Sequence, residues 1–331
     1  LREVAALGIS YQMHGLVLVD GEGALLRPAI IWCDGRALPL GEEALAALGR
    51  ERCRASLLNS PGNFTAARLA WVRREEPEIF ARAGAFLLPG DWLALRLTGR
   101  AATTVTGLSE AILWDFAAGR RADFVLEHFG IPAGLVPPLV PICGEQGRLT
   151  GEAAAALGLR EGTPLCWRAG DQPANAFALG VLAPGQAAAA GGTSGVIYGV
   201  TDELVRDPRS RVNTFVHANH AAARPRYGML ACVNGTGILN RWLREALGEG
   251  DYEGMDRAAA AVPPGSEGLS FLPYGNGPER TLEGRSPGAC CLGLDLNRHH
   301  RGHLLRAAQE GIAFALVRCL EIMARAGYDW L

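Results

Sequence analysis

Lysine is absent: every one of the 32 basic residues in this 331-residue chain is an arginine. That excludes any mechanism built on a Schiff base, and any phosphate loop that relies on the Walker A lysine. Long apolar runs are missing too. None reaches the ~18–20 residues of a membrane-spanning helix, and the first residues lack the charged, apolar, small succession of a secretory signal. Basic and acidic residues nearly balance, 32 against 34, which leaves no dense basic face for nucleic acid. The eight cysteines, Cys33, Cys53, Cys143, Cys166, Cys232, Cys290, Cys291 and Cys319, include no C-x-x-C pair. This argues against zinc-ribbon and thioredoxin-type sites. Most read as reduced core thiols, and the expected location is the cytoplasm. No G-x-S-x-G, H-E-x-x-H, G-x-G-x-x-G or Walker A signature is expected to operate, all four being read as missing.

What is present is a chain of 49% hydrophobic residues, long enough for about two domains. Val4 to Ser10, Leu16 to Val19 and Ile30 to Trp32 are short apolar runs bounded by turn residues. They predict strands in a meander at the start of a mixed sheet. Helices are expected over Gly41 to Arg54, Asn63 to Arg74, and from Pro89-Gly90-Asp91 through Leu97, with Gly99 closing the last. Residues 120–160 read as helices broken by prolines. Thr163 to Trp167 is a strand leading into Ala169-Gly170-Asp171 and a helix from Pro173 to Leu179. The joint falls at Ala183-Pro184-Gly185, giving domains 1–183 and 184–331. Beyond it, strands Ala187 to Ala190 and Val196 to Val200 flank a glycine-rich turn. A helix from about His303 to Ala326 ends the chain, with Leu305, Ala308, Ile312, Ala315, Cys319 and Met323 at helical spacing.

Four local patterns bear on chemistry. Gly191-Gly192-Thr193-Ser194-Gly195 is either a plain hairpin turn or a loop whose amides and hydroxyls approach a phosphate. Asp171 stands at a strand end just before a helix, where it serves as a general base or as the helix cap. Gln12-Met13-His14 lies between apolar strands, as a hydrogen-bonded loop or as a sugar-hydroxyl contact. Asp34 and Arg36 form a structural pair or orient a ligand, while Asp91 reads as a helix N-cap and Asp20 as a turn residue. His299, His300 and His303 have the spacing of a metal site, but Arg298 and Arg301 flank them and no acid stands with them. A helix start is the better reading, and no metal ligand is assigned.

Taken in order, several stretches resemble the FGGY family of carbohydrate kinases, and within it the members that phosphorylate D-xylulose. They are Ile9–Gly15, Arg27–Arg36, Pro61–Ala67, Leu88–Trp92, Ala169–Gln172, Gly192–Gly195, Phe271–Arg280 and Arg306–Gly311. The resemblance covers essentially the whole chain. It implies an α/β fold of two actin-like ATPase (ribonuclease H-like) domains around a cleft, here both incomplete: a sugar-binding one over 1–183 and a nucleotide-side one over 184–331. It further implies transfer of a phosphoryl group from ATP, with Mg²⁺, to the 5-hydroxyl of D-xylulose. Asp171 matches the catalytic base, and Met13 and His14 the substrate contacts. Gln12, Asp34, Arg36 and Gln172 are further sugar-side candidates. Gly192, Thr193, Ser194 and Gly195 match a phosphate loop facing the nucleotide. Gln172 stands where many D-xylulose-specific members have Asn, and glycerol-specific members share Gly-Asp-Gln. Kinases for glycerol or ribulose are therefore alternatives, as is a non-catalytic sugar-binding module derived from a kinase. The family's first phosphate loop would precede Leu1 and its adenosine motif would follow Leu331. A chain truncated at both ends, inactive alone, is the expectation. The expected partners are a small sugar and ATP, with no nucleic acid and no membrane; a homodimer is the expected assembly.

Overall fold

The computed structural model describes residues 3–248 and 250–329. Leu1 and Leu331, on which the truncation expectation turns, lie outside the described residues. The chain forms two compact units, and they are not two continuous halves. One holds the residues up to Pro184 together with Val200–Leu204 and Thr214–Gly228; the other holds Gly185–Gly199, Val205–Asn213 and the residues from Met229 onward. Among the described residues no helix is long and apolar enough to cross a membrane.

In the first unit the strands are β1 (Leu7–Tyr11), β2 (Val17–Val19), β3 (Ala85–Leu87), β4 (Trp114–Asp115), β5 (Arg120–Arg121), β6 (Cys143–Arg148) and β7 (Pro164–Gly170). The central sheet has the order β1-β7-β6. β1 and β7 run parallel with Tyr11 opposite Gly170, and β6 pairs antiparallel with β7. Ile9, Tyr11, Leu88, Ala94 and Leu165 pack into one buried cluster against this sheet. Parallel pairing puts the C-terminal ends of β1 and β7 at the same edge. The loop after β1 and the helix after β7 therefore emerge side by side, the usual place for a ligand in an α/β sheet.

The expected meander is not formed. β2 pairs with β3, some 65 residues downstream, and Ile30 makes a single bridge to Leu16. Ile31 and Trp32 are 43% and 59% exposed and lead into a turn in which the Asp34 amide donates to the Ile31 carbonyl, so no strand forms over Ile30–Trp32. The helix expected over Gly41–Arg54 is two helices, Leu38–Leu48 and Arg50–Leu57. They part at Gly49, whose φ of 85° is open to glycine without strain. The proline-broken region hides β6, because its residues Cys-Gly-Glu-Gln-Gly-Arg are polar and mostly exposed and carry no apolar alternation. The other helices near the candidate site, Thr65–Glu75, Pro89–Thr98 and Asp171–Ala178, lie within two residues of their expected ends.

In the second unit β8 (Ala187–Gly191) and β9 (Gly195–Thr201) form a tight hairpin. β11 (Tyr227–Val233), mostly in the same unit, lies beside β9, whereas β10 (Asn213–Val216) falls almost wholly in the first unit. A second hairpin pairs β12 (Ser270–Tyr274) with β13 (Gly288–Leu292). The helix Arg301–Arg325 supplies the core with Leu305, Ala308, Ala315, Cys319 and Met323, much as its periodicity predicts. Gly311 lets this helix lie directly on the Phe271 carbonyl, where any Cβ would collide with backbone.

Cysteine burial departs from expectation. Cys53 and Cys319 are buried, but Cys33, Cys143 and Cys290 are exposed, and all eight are free thiols.

Candidate functional site

Met13, His14 and Asp171 come together at the paired ends of β1 and β7. Gly170, the last residue of β7, is the N-cap of the following helix, so Asp171 is that helix's first residue rather than its cap. A carboxylate in the first turn is favoured by the helix dipole. Its Oδ1 accepts the Gln172 amide at 3.0 Å and its Oδ2 accepts the Gln172 side-chain amide at 3.4 Å. The Met13 amide donates to it as well. Burial raises the Asp171 pKa above the usual carboxylate value, and these hydrogen bonds pull it partly back. A carboxylate that is anionic yet more basic than normal is suited to accept a proton.

His14 sits at a positive φ of 63°, a conformation that costs a residue with a Cβ energy and that the surroundings must hold in place. The hold is visible. Nδ1 lies 2.9 Å from the Glu110 carbonyl, so it carries the hydrogen. The Phe64 ring meets the imidazole edge-on at 4.7 Å between centroids. The Arg68 guanidinium donates to the His14 carbonyl at 2.6 Å and to the Trp32 carbonyl at 2.7 Å. Arg68 is fully buried, and burial lowers its pKa to about 10. It ties the His14 turn to the turn that carries Asp34, and sequence reasoning missed it. An arginine among the small and apolar residues Ala66, Ala67, Leu69, Ala70 and Val72 of the helix Thr65–Glu75 was the available signal.

Asp34 and Arg36 engage each other, at 2.7 Å between Nη2 and Oδ2. Their contact holds the Asp34 carboxyl below its usual range, chiefly through hydrogen bonds from Arg36. Arg36 also lies over the Trp71 ring at 4.6 Å. Gln12 is half-buried in the loop between Tyr11 and Met13. Asp91 is not a cap. It sits in the third position of its helix, accepts the Leu88 amide at 3.4 Å, and forms a buried ion pair with Arg168 at 3.0 Å. Asp20 does serve its turn, accepting the amides of Glu22 and Ala24.

The glycine-rich turn belongs to the second unit. Gly191 faces Gly195 across the hairpin, and the Gly192 amide donates to the Ser194 carbonyl at 2.9 Å. The carbonyls of Gly192 and Thr193 are taken by the amides of Gly237 and Ile238, at 3.0 and 3.2 Å, and by the Thr236 hydroxyl. The loop is thus pinned to the N-terminus of the helix Gly237–Ala246, and a Cβ at Gly237 would run into the Gly192 carbonyl. Beside it lies an open cavity of about 390 Å³ bordered by Gly192, Thr193, Gly237, Asn240, Arg241 and Tyr252. Small residues and one arginine leave room and one positive charge for a phosphate chain, although the Gly192, Gly237 and Ile238 amides are already taken. The Asn234-Gly-Thr-Gly237 run ahead of an amphipathic helix was the overlooked signal. Glu279 supports this region from below, accepting the Asn234 amide at 2.9 Å, and burial pushes its pKa up to about 7.

The three histidines form a helix start. His300 is the N-cap and its Nδ1 accepts the Gly302 amide. Among the described residues no group of three or more His, Cys, Asp or Glu could hold a metal ion. Gly284-Arg-Ser-Pro-Gly288 has nucleophile-elbow spacing, a pattern the reading of the sequence wrongly took to be missing. It connects a 3₁₀ turn to β13 instead of a strand to a helix, so it is no elbow.

A mixed α/β chain with a carboxylate at parallel strand ends and a separate glycine-rich hairpin fits the actin-like ATPase class of fold, to which its structural neighbours belong. Residues 1–178 match the N-terminal domain, and 187–329 the C-terminal domain, of the FGGY family of carbohydrate kinases. The chain belongs to that family. It is 32% identical to the xylulose kinase of Escherichia coli over 99% of its length and 66% of the relative's. It is 31% identical to that of Bacillus subtilis, over 97% and 64%. The crystal structure of xylulose kinase from Rhodospirillum rubrum superposes with a TM-score of 0.85 at 30% identity, covering 98% of this chain and 65% of the other. The chain therefore spans just under two thirds of the length of these relatives.

Proposed function

We propose that this chain carries the sugar-handling part of an enzyme that transfers a phosphoryl group from ATP to a hydroxyl of D-xylulose, giving D-xylulose 5-phosphate. The observation that carries the reading is the convergence of His14 and a more basic than usual Asp171 at the ends of β1 and β7. The relatives named above add the acceptor. In this reading Met13 and His14 hold the sugar, with Gln12, Gln172, Asp34 and Arg36 around them. Asp171 takes the proton of the attacking hydroxyl as its oxygen bonds to the γ-phosphorus, and ADP departs with the bridging oxygen. Gly192, Thr193, Ser194 and Gly195 form the loop that faces the phosphates, with the Thr193 and Ser194 hydroxyls and the amides outside the Gly192–Ser194 bond in place of a lysine. No cage of side chains for Mg²⁺ exists among the described residues. The ion enters this reading as part of MgATP, held by the phosphates themselves.

Gln172 favours a second reading, with glycerol or another polyol as acceptor. Calorimetry of this chain with D-xylulose, D-ribulose and glycerol separates them, with Asp171→Ala as control. Selective xylulose binding that the substitution weakens supports the pentulose reading. Preference for glycerol moves the acceptor, and a folded chain that binds none of the three overturns the sugar site. ADP release with MgATP, measured in the same samples, tells whether this length of chain completes the transfer.

A further inference from the structure

Glu110 has no part in the chemistry described so far, yet it touches both halves of it. It ends the short helix Val105–Glu110, whose N-cap Thr104 accepts the Gly107 amide at 3.1 Å. The side chain is wholly buried. Its main-chain carbonyl takes the His14 Nδ1 hydrogen at 2.9 Å. Its Oε1 accepts the Gly170 amide at 3.1 Å, the peptide group that directly precedes Asp171. There is no slack between these groups. A Cβ on Gly170 would strike the Met13 side chain and come within 2.6 Å of the Glu110 carboxyl. We propose that Glu110 is a positioning residue for the sugar side of the site, its carbonyl orienting the His14 ring and its carboxyl holding the turn that presents Asp171.

The electrostatic surroundings favour the protonated form. From β1 it faces the Tyr11 phenol, from the helix Pro89–Thr98 it feels Asp91, and from the turn it supports it feels Asp171. Asp91 is matched by Arg168 on β7. Burial first, and then the charges of Asp171 and Asp91, push its pKa well above the usual range, against the pull of the Gly170 amide. Either form of the carboxyl can accept the Gly170 amide through Oε1.

The proposal rests on the sugar-kinase reading, so its test reads two things in this chain. One is D-xylulose affinity by calorimetry. The other is the titration midpoint of the Asp171 carboxyl, followed by ¹³C NMR and assigned with Asp171→Asn. Glu110→Gln keeps the acceptor for Gly170 and should hold affinity within about twofold. Glu110→Ala removes it. Provided it still melts cooperatively, it should weaken sugar binding about tenfold or more and shift the Asp171 midpoint. If Glu110→Ala does not fold, Glu110→Asp, which withdraws the carboxyl by one methylene, takes its place under the same criteria. A folded Ala or Asp variant with unchanged affinity and an unchanged midpoint overturns the proposal. So does a folded Gln variant as impaired as the Ala one. If the wild-type chain binds no sugar, it is the functional reading that fails, and the Asp171 midpoint alone decides the role of Glu110.

Discussion

In the proposed function, the ends of β1 and β7 and the β8–β9 hairpin solve different chemical problems with different materials. At the strand ends the working parts are side chains, and hydrogen bonds from several elements set them: the Arg68 guanidinium and the Glu110 main-chain carbonyl hold the His14 turn and ring, and the Gln172 amides hold Asp171. At the hairpin the working parts are peptide groups, and what sets them is close backbone contact with the helix Gly237–Ala246. A proton acceptor needs a tuned pKa, which only a particular environment supplies. A phosphate cradle needs amides and room, which small residues supply. The first design should be sensitive to the loss of polar groups, and the second to the addition of a methyl group.

The largest effect is expected at Asp171. In whatever length of chain shows turnover, Asp171→Asn should lower kcat for sugar phosphorylation about 10²–10⁴-fold, with a smaller change in sugar affinity, as read by ADP release against sugar concentration. Next comes Arg68→Met, which keeps the apolar stem but leaves the carbonyls of His14 and Trp32 unpaired in the interior. Urea unfolding should show a loss of about 2–4 kcal/mol. No loss would mean that the His14 turn is held by other means.

Gly237→Ala probes the second design. Its methyl group meets the Gly192 carbonyl, so a loss of about 1–3 kcal/mol and weaker ATP binding are expected by thermal melting and calorimetry. A neutral result there would erase the contrast between the two regions. Glu279→Gln tests the support beneath the hairpin through pH. Because burial raises Glu279 from 4.5 to about 7, the folded state binds more protons than the unfolded state between those values. Its contribution to stability therefore falls as pH rises through that window. The Gln variant should flatten the dependence and be more stable by about 1–2 kcal/mol at pH 8. The smallest effect belongs to Arg36→Ala. An ion pair at the surface stabilises by less than about 1 kcal/mol, so a larger loss of sugar binding than of stability would place Arg36 on the ligand.

Much of this was legible in the sequence because local chemistry dictated it. Pro89 and Gly99 bracket their helix, Gly191 to Gly195 can only turn, and Asp171 follows an apolar strand. The failures share a cause. Ile30–Trp32 looked like a strand because its residues suit one, but an extended run needs a partner, and only Ile30 finds one. β6 was invisible because the neighbour that makes it a strand, β7, lies beyond a helix. Neither Arg68 nor Glu110 was singled out in the sequence. Their importance comes from which carbonyls and amides surround them after folding, and no window of sequence contains that information. Asp91 was misread for the same reason, since its partner Arg168 stands on a different element.

The parallel pairing of Tyr11 with Gly170 has a kinetic consequence. β1 is made at one end of the first unit and β7 at the other, with nearly all of that unit's helices between them. Contacts so distant along the chain are slow to form, because a long loop must close before they return any stabilisation. The proposed proton-accepting site therefore does not exist in part. Until β7 docks beside β1, Asp171 is an ordinary solvated acid and His14 has no strand end to stand on. Refolding followed by sugar binding should lag behind refolding followed by helix formation.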